Sequence, residues 1–584
     1  MFHIIHQKIP GHGPARLVFT ALGLLCVLSS ESRAAQRFWV SGTQQDFSGS
    51  YWSTTSGGGT GATVPGSADT AIFDGGGAGN CNWNSGRTLA GVRLTTAYAG
   101  QIILNGYTHT IGSKWVVEDN NTAVSGGSAT VNITGSGQFC SPHYDNRIAN
   151  LSIGASGYTT TLIGNCWLES CNLTFGGGTV TGGYEIWWGP GTLTINSGTT
   201  MSFNKLIVYC DGGNITVPSY SGYPNLTITG HGWGHTNATL ASGGLTCQNL
   251  VVDGNGDVTH KYMKFDMNGQ NVTCASLTVG NGGAADSCYL YTSGGSLDVN
   301  GSVTLNHFSG SGDSIALGSG THYVAGNWTN NGMPVGMGTS TLYLDGASGT
   351  QQFKSGGKTY YNLTLNNNGA TTQLVDAMTL SGNFLRSAGI LNFNSNNITV
   401  TGSFTVNSGA SNTFSNLAGR TITAGSASLN GQSGNLLNLN TATTNHTWTV
   451  SGSLTANYAD ISYSIATNGG TANNSTNNGN NSNWTFLSAG SNRTWDGEGS
   501  DSKWSTAANW SGNAVPTAND TVIFNSTSVK ACSLDVAASV CRIVFNSNYT
   551  GTFTFPGSPA SGTITYQIWT GINGTAVTKP GLPG

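Results

Sequence analysis

The residues in this chain whose types and spacing could do chemistry are few. Asp253-Gly254-Asn255-Gly256-Asp257 sets three oxygen-bearing side chains at alternate positions with glycine between them. Such a run can wrap one hard cation, and calcium, held by six to eight oxygens, is the ion it would suit. The EF-hand grammar is incomplete, because Val258 follows the third ligand and no late Glu appears. An ordinary Asx-Gly turn is the competing reading and ranks first. His260, Lys261, Lys264 and Asp266 complete the densest ionisable cluster. A polysaccharide lyase would use such acids for calcium and a neighbouring lysine as base. No second acidic cluster recurs nearby to complete that machinery.

Trp187 and Trp188 are adjacent, so a strand must send one inward and the other outward. An outward tryptophan is a platform for a sugar ring, with Tyr184 and Glu185 close by; packing beneath a neighbouring loop is the alternative. Asp496, Glu498 and Asp501 read as a solvated acidic turn. No phosphate loop, HExxH helix or Gly-x-Ser-x-Gly elbow occurs, and no catalytic residue is assigned.

The elements that must position these residues are strands. Only 8% of the 584 residues are charged, against about 25% in ordinary domains, and the 87 glycines are about twice the usual share. Solubility must come from Ser, Thr and Asn. Five Glu and ten Lys leave little helix-forming material, and no stretch sustains a 3.6-residue apolar period. A net charge of −4 with no basic run argues against a nucleic-acid partner.

Between residues 113 and 486 one unit recurs: apolar-Thr-apolar, followed closely by Gly or Asn. Leu173-Thr174-Phe175, Leu193-Thr194-Ile195, Ile215-Thr216-Val217, Leu226-Thr227-Ile228 and Leu277-Thr278-Val279 are examples. Period-two alternation bounded by turn residues is a half-buried strand. Many intervals fall at 20–27 residues, the length of one coil of three short strands. The expected fold is all-β: a right-handed parallel β-helix, or solenoid, with a Trp-rich module at each end. A string of β-sandwich domains competes, because intervals of 11, 15 and 39 also occur.

The end modules are copies. Val64-Pro65 through Asp69-Thr70-Ala71-Ile72-Phe73 returns as Val515-Pro516 through Asp520-Thr521-Val522-Ile523-Phe524. Cys81 and Cys532 each follow the Phe by eight residues, Tyr98 and Tyr549 by twenty-five. Upstream, Arg37 and Trp39 match Arg493 and Trp495, and Trp52-Ser53-Thr54 matches Trp504-Ser505-Thr506. The resulting division is 1–34 signal peptide, 35–112 first module, 113–486 solenoid array, 487–492 linker and 493–584 second module.

Lys8 and Arg16 precede an apolar run over residues 17–28, and Ser32-Arg33-Ala34 supplies a cleavage site. Export places the mature chain outside the cell or on a bacterial surface, with no membrane span, since no segment approaches eighteen apolar residues. Ten cysteines then remain, an even number without CxxC spacing, which favours structural disulfides over metal sites. Cys140 and Cys166 are 26 residues apart and Cys247 and Cys274 are 27, close to one coil, so vertical staples are expected. Cys532 and Cys541 are the expected pair of the second module.

Trp495-Asp496-Gly497, Trp504-Ser505, Ala508-Asn509-Trp510, Val515-Pro516, Asp520-Thr521 and Ile523-Phe524 resemble the WDG…W…ANW…VP…D-x-v-iF module of large exported bacterial surface proteins with β-helical, adhesin-like repeats. The first copy departs from it: Val40-Ser41 follows Trp39, and nothing there matches Asn509-Trp510. The resemblance implies a surface or extracellular structural protein with an adhesive role, glycans or other cell-surface components as partners, and no catalytic residues. A β-helical carbohydrate-active enzyme, lyase or glycosidase, is the alternative, and a non-catalytic glycan-binding protein the third reading. Calcium is the one cofactor the sequence offers.

Overall fold

The structure is a computed structural model. It describes residues 35–571 except 119–122, 144, 211–212, 231–234, 255–261, 281–286, 308–311, 337, 408–412, 488–489 and 555–563. The described chain is all-β, a β-solenoid of about 20 stacked coils, with only one short 3-10 turn at Ala507–Asn509.

The apolar-Thr-apolar unit builds it by stacking like on like. Leu226, Leu250, Leu277, Val303, Trp328 and Phe353 stand one above another in a single column and are all buried. The residues between face out in register: Thr227, Val251, Thr278, Thr304 and Thr329. Each coil buries its apolar column only against the coils above and below, so the core is a continuous thread. One buried cluster runs from Trp39 to Ala472. That continuity excludes the sandwich alternative, which requires several closed cores.

The irregular intervals have a simple cause. Strands Asn214–Val217 and Asn225–Gly230, whose landmarks are 11 residues apart, lie on different faces of one coil. The first belongs to a six-stranded sheet continued by His235–Leu240, Tyr262–Asp266 and Ser287–Tyr291; the second belongs to the 35-stranded main sheet.

Asparagine and glycine do different work at the corners and outer faces. Asn105, Asn268 and Asn394 hold left-handed backbone conformations that most side chains resist. Outward asparagines form amide ladders between coils: Asn172 to Asn150 at 2.9 Å, Asn249 to Asn225 at 2.7 Å, Asn457 to Asn430 at 2.7 Å. Gly137 is needed for close approach, since a Cβ there would overlap the Ser113 carbonyl. The scarcity of charge follows, because a like-charged ladder at coil spacing would repel itself at every step.

The first module is the beginning of the solenoid. The 112/113 boundary read from sequence falls inside strand Thr108–Val117, and the core passes through it unbroken. Strand Gln36–Trp39 pairs in parallel with Thr70–Phe73 on one side and antiparallel with Trp52–Ser53 on the other. Among the described residues every other strand pairing of the main sheet is parallel, so Trp52–Ser53 is a lid on the open edge of the first coil.

The second module repeats this construction around its own core of Trp495, Trp504, Trp510, Val522 and Phe524. Trp39 Nε1 and the Tyr98 hydroxyl both donate to the Gly79 carbonyl, at 2.8 and 2.9 Å. Trp495 Nε1 and the Tyr549 hydroxyl both donate to the Lys530 carbonyl at 2.9 Å. Asp69 accepts from Gly66 N and Ala35 N, and Asp520 from Thr517 N and Ser491 N, so each carboxylate ties the turn to the incoming strand.

These bonds correct the alignment of the copies upstream. Trp52 corresponds to Trp510, not to Trp504: Trp39 bridges Trp52 and Trp495 bridges Trp510, edge to face at 5.2 and 5.0 Å. Phe47 takes the place of Trp504. Trp52 Nε1 donates to the Phe47 carbonyl at 2.8 Å, and Trp510 Nε1 to the Trp504 carbonyl at 2.7 Å. Tyr51-Trp52 is therefore the counterpart of Asn509-Trp510. The shared Trp-Ser-Thr triplet is a coincidence of composition, and the true equivalence is hidden by a two-residue difference in the spacing from Trp39 to Trp52 and from Trp495 to Trp510.

Candidate ligand-binding groove

Alternation along strand Thr179–Gly189 splits the tryptophan pair as the sequence required. Trp188 points into the core, fully buried, its Nε1 donating to the Cys171 carbonyl at 2.8 Å. Trp187 points outward and is half-buried. Its partner is Trp167, one coil away in strand Cys166–Glu169, in register and stacked at 4.2 Å with 17° between the planes. Tyr209, in strand Thr200–Cys210, approaches both indoles at 6.2 and 6.4 Å. Of these rings only Trp187 lines the adjoining groove, and Tyr184, though exposed, does not.

Three outward columns form that groove, which has a volume of about 370 Å³. The middle column runs Trp187, Ile207, Thr227, Val251. One flank runs Glu185, Lys205, Asn225 and Asn249, in which Lys205 Nζ lies 3.2 Å from Glu185 Oε1 and Asn249 donates to Asn225. The other runs Thr229, Asp253, continuing in register from the buried Tyr209. Gly189 stands where that column would begin, and a Cβ there would strike the Tyr209 carbonyl. The result is an aromatic wall at one end, a narrow apolar floor and polar sides.

Asp253 thus sits at the far end of the groove. Asn255 and Asp257, its expected partners in a calcium loop, lie outside the described residues. Among the described residues no group of three or more His, Cys, Asp or Glu is placed to hold a metal ion. Glu185 and Asp253 are three coil steps apart. At about 4.8 Å per step that is roughly 14 Å along the axis alone, and the two stand on opposite flanks, so their separation exceeds the roughly 5–10 Å over which paired carboxylates cleave glycosides.

A second aromatic column occupies the six-stranded sheet. Tyr262 and Tyr289 approach at 4.6 Å, and Lys264 lies over Tyr291 at 4.8 Å while pairing with Asp266 at 3.0 Å.

No disulfide joins the described cysteines. Two of the expected pairs are nevertheless brought together as thiols. Cys247 and Cys274 are in register on adjacent strands. The Cys274 contact, then burial, pushes the Cys247 thiol far up. The neighbouring Cys166 thiol lowers the Cys140 thiol, while burial and that contact raise Cys166. The third expected pair is not assembled in this way. Cys532 sits in the second module's core, whereas Cys541 lies on another sheet, half-exposed. The chain bends there, because Cys541 N and Arg542 N both turn to the Asp520 carbonyl.

Comparison with family models, curated proteins and solved structures returns no match for this chain. Its function must be argued from the groove. Sequence reasoning found Trp187 but missed Trp167, Lys205, Asn225 and Asn249. The available signal was the twenty-residue step from Trp167 to Trp187 to Ile207, the same step that separates Leu173 from Leu193.

Proposed function

We propose that this chain is an exported, non-catalytic scaffold that adheres to glycans through the groove beside Trp187. The observation that carries the reading is the Trp167–Trp187 stack, a half-buried aromatic pair on an outward face that also carries threonine, asparagine and the Glu185–Lys205 pair. Buried apolar threads stabilise the coils, and nothing in that task requires two outward indoles. Sugar rings have apolar faces and hydroxyl rims, and an aromatic wall flanked by amide side chains matches both. The span between Glu185 and Asp253 favours binding over hydrolysis.

Export through residues 1–34, a cell-surface location and the likeness to adhesin-like bacterial modules belong to this proposal. So does oxidation of Cys140 with Cys166 and of Cys247 with Cys274, which would staple neighbouring coils in an oxidising compartment. The test is retention of the mature protein on a panel of insoluble and immobilised polysaccharides, with soluble products followed. Retention lost in Trp187→Ala, without product release, is the expected result. Release of oligosaccharides would favour a lyase or glycosidase instead.

A further inference from the structure

We propose that the second module closes itself with an isopeptide bond between Lys530 Nζ and Asn509 Cγ. The proposal does not depend on the glycan reading. Asn509 precedes Trp510 in the antiparallel bridge of that module and is fully buried. Its carboxamide is held at both ends. Nδ2 donates to Asp501 Oδ1 at 3.1 Å and to the Lys503 carbonyl at 3.0 Å, while Oδ1 accepts from Gly499 N at 3.0 Å and from Lys530 Nζ at 3.5 Å. Lys530 Nζ also donates to the carbonyls of Gly497, at 3.0 Å, and of Gly499. A neutral amine has two hydrogens for those two carbonyls, which leaves its lone pair for the third direction, where the carboxamide stands.

Both backbones are fixed before any reaction. The Asn509 carbonyl accepts from Asp496 N and Gly497 N, and the Lys530 carbonyl from Trp495 Nε1 and the Tyr549 hydroxyl. Holding two groups together in this way gives a slow amide exchange a large effective concentration. The first module lacks both partners. Tyr51 stands in the place of Asn509 and Gly79 in that of Lys530, and a Cβ at Gly79 would overlap the Thr43 carbonyl. Lysine and asparagine are replaced together.

The step balances without a co-reactant. Lys530 gives one ammonium proton to solvent and attacks Asn509 Cγ as a neutral amine. The new C–N bond pushes the carbonyl electron pair onto Oδ1, where the Gly499 N–H stabilises it. Both nitrogens now share one carbon, and Asp501 passes the surplus proton from Nζ to Nδ2. Collapse restores the carbonyl and expels Nδ2 with the bonding pair, so ammonia leaves and a secondary amide remains. Hydrogen bonds from Lys503 N and the Thr506 hydroxyl hold the Asp501 carboxyl below its usual range, which keeps it ionised to accept that proton. The product ties the bridge to the segment that leads into Cys532, so a pulling force cannot peel the two apart.

The experiment digests the full chain with trypsin after denaturation and reduction, and reads the masses around Lys530. The expected product is residues 504–542, uncut after Lys530 and lighter by one ammonia. A further cut after Phe524 should leave the two parts joined. Lys530→Arg keeps the charge and the donors without the nucleophile, and should be cut at that position with full mass. A parent cut after Lys530 with both peptides at full mass, or an uncut segment of full mass, would overturn the bond. So would an ammonia loss confined to a linear peptide ending at Lys530, which is succinimide formation at Asn509. A cross-link as complete in Asp501→Asn as in the parent would overturn the proton route through that carboxylate.

Discussion

At the scale of single residues, two buried histidines show how this fold handles polar groups. His109 accepts from Arg87 N through Nδ1 and meets the Leu104 carbonyl through Nε2 at 3.2 Å. His322 repeats this with Leu297 N and the Leu317 carbonyl. In both, a neutral ring ties a turn to the coil below, and burial lowers its basicity, to about 4 for His109. His446 is also buried and lowered to about 4. The unfolded chain protonates His109 and His446 near pH 6.5, while the folded chain refuses those protons until about pH 4. Their stability contribution is therefore complete above about pH 6.5 and falls steadily down to about pH 4. Melting temperature measured across that window should decline with acid, and His109→Gln should flatten the slope. A flat parent profile would refute the assignment. The thiols offer a second residue-scale test. Cys247 and Cys274, both buried, should resist alkylation at neutral pH in the folded, reduced protein more than Cys140, whose thiol the Cys166 contact lowers; peptide mapping showing Cys247 modified ahead of Cys140 would contradict the geometry.

At the scale of elements, the duplicated module is a device for starting a solenoid. Its antiparallel tryptophan bridge, shared carbonyl acceptor and carboxylate clamp recur in both copies, and the clamp can be titrated in one of them. Burial acts to raise the Asp520 carboxyl, but hydrogen bonds from Thr517 and Ser491, with Arg493 nearby, outweigh it and hold it below its usual range. Its contribution is thus present at neutral pH and lost as pH falls through its folded value, below about 4. Asp520→Ala should cost about 1–3 kcal/mol, the range for leaving buried donors unpartnered. Asp69→Ala should destabilise the first coils in the same way. Local hydrogen exchange at the Thr521–Phe524 and Thr70–Phe73 strands would report each loss; unchanged protection in both variants would refute the clamp.

The same scale shows what could be read in advance. Periodicity of apolar-Thr-apolar units revealed strands and coil length because inward columns must match in size and register. The Trp187/Trp188 split followed from strand geometry alone. What escaped were contacts between coils: Trp167 with Trp187, the Glu185–Lys205 pair and the Phe47–Trp504 equivalence. These depend on register, and register is set by corner lengths that vary by several residues from coil to coil. The local Trp-Ser-Thr match therefore misled where the hydrogen-bond pattern did not.

For the whole molecule, stability should behave as a sum over coils and their interfaces. Met378 stacks under Ile398 and Phe384 under Phe404, both offset by twenty residues. Deleting residues 378–397 should therefore close the stack in register, preserve cooperative folding and shorten the solenoid by about 4.8 Å. Deleting only 378–387 should abolish folding of the coils around the cut, because every inward column would lose its match. Equal tolerance of the two deletions, read by circular dichroism and melting, would contradict a register-locked solenoid.

The central claim is that this rigid stack presents Trp187 to glycans without cleaving them. Its most direct test is equilibrium binding of the parent, Trp187→Ala and Trp188→Phe to one immobilised glycan that retains the parent, with soluble products measured alongside. The account predicts that Trp188→Phe binds like the parent, because Trp188 faces the core. It predicts that Trp187→Ala binds at least tenfold more weakly, about 1.4 kcal/mol, and that no products accumulate. Undiminished binding by Trp187→Ala, or products released by the parent, would contradict it.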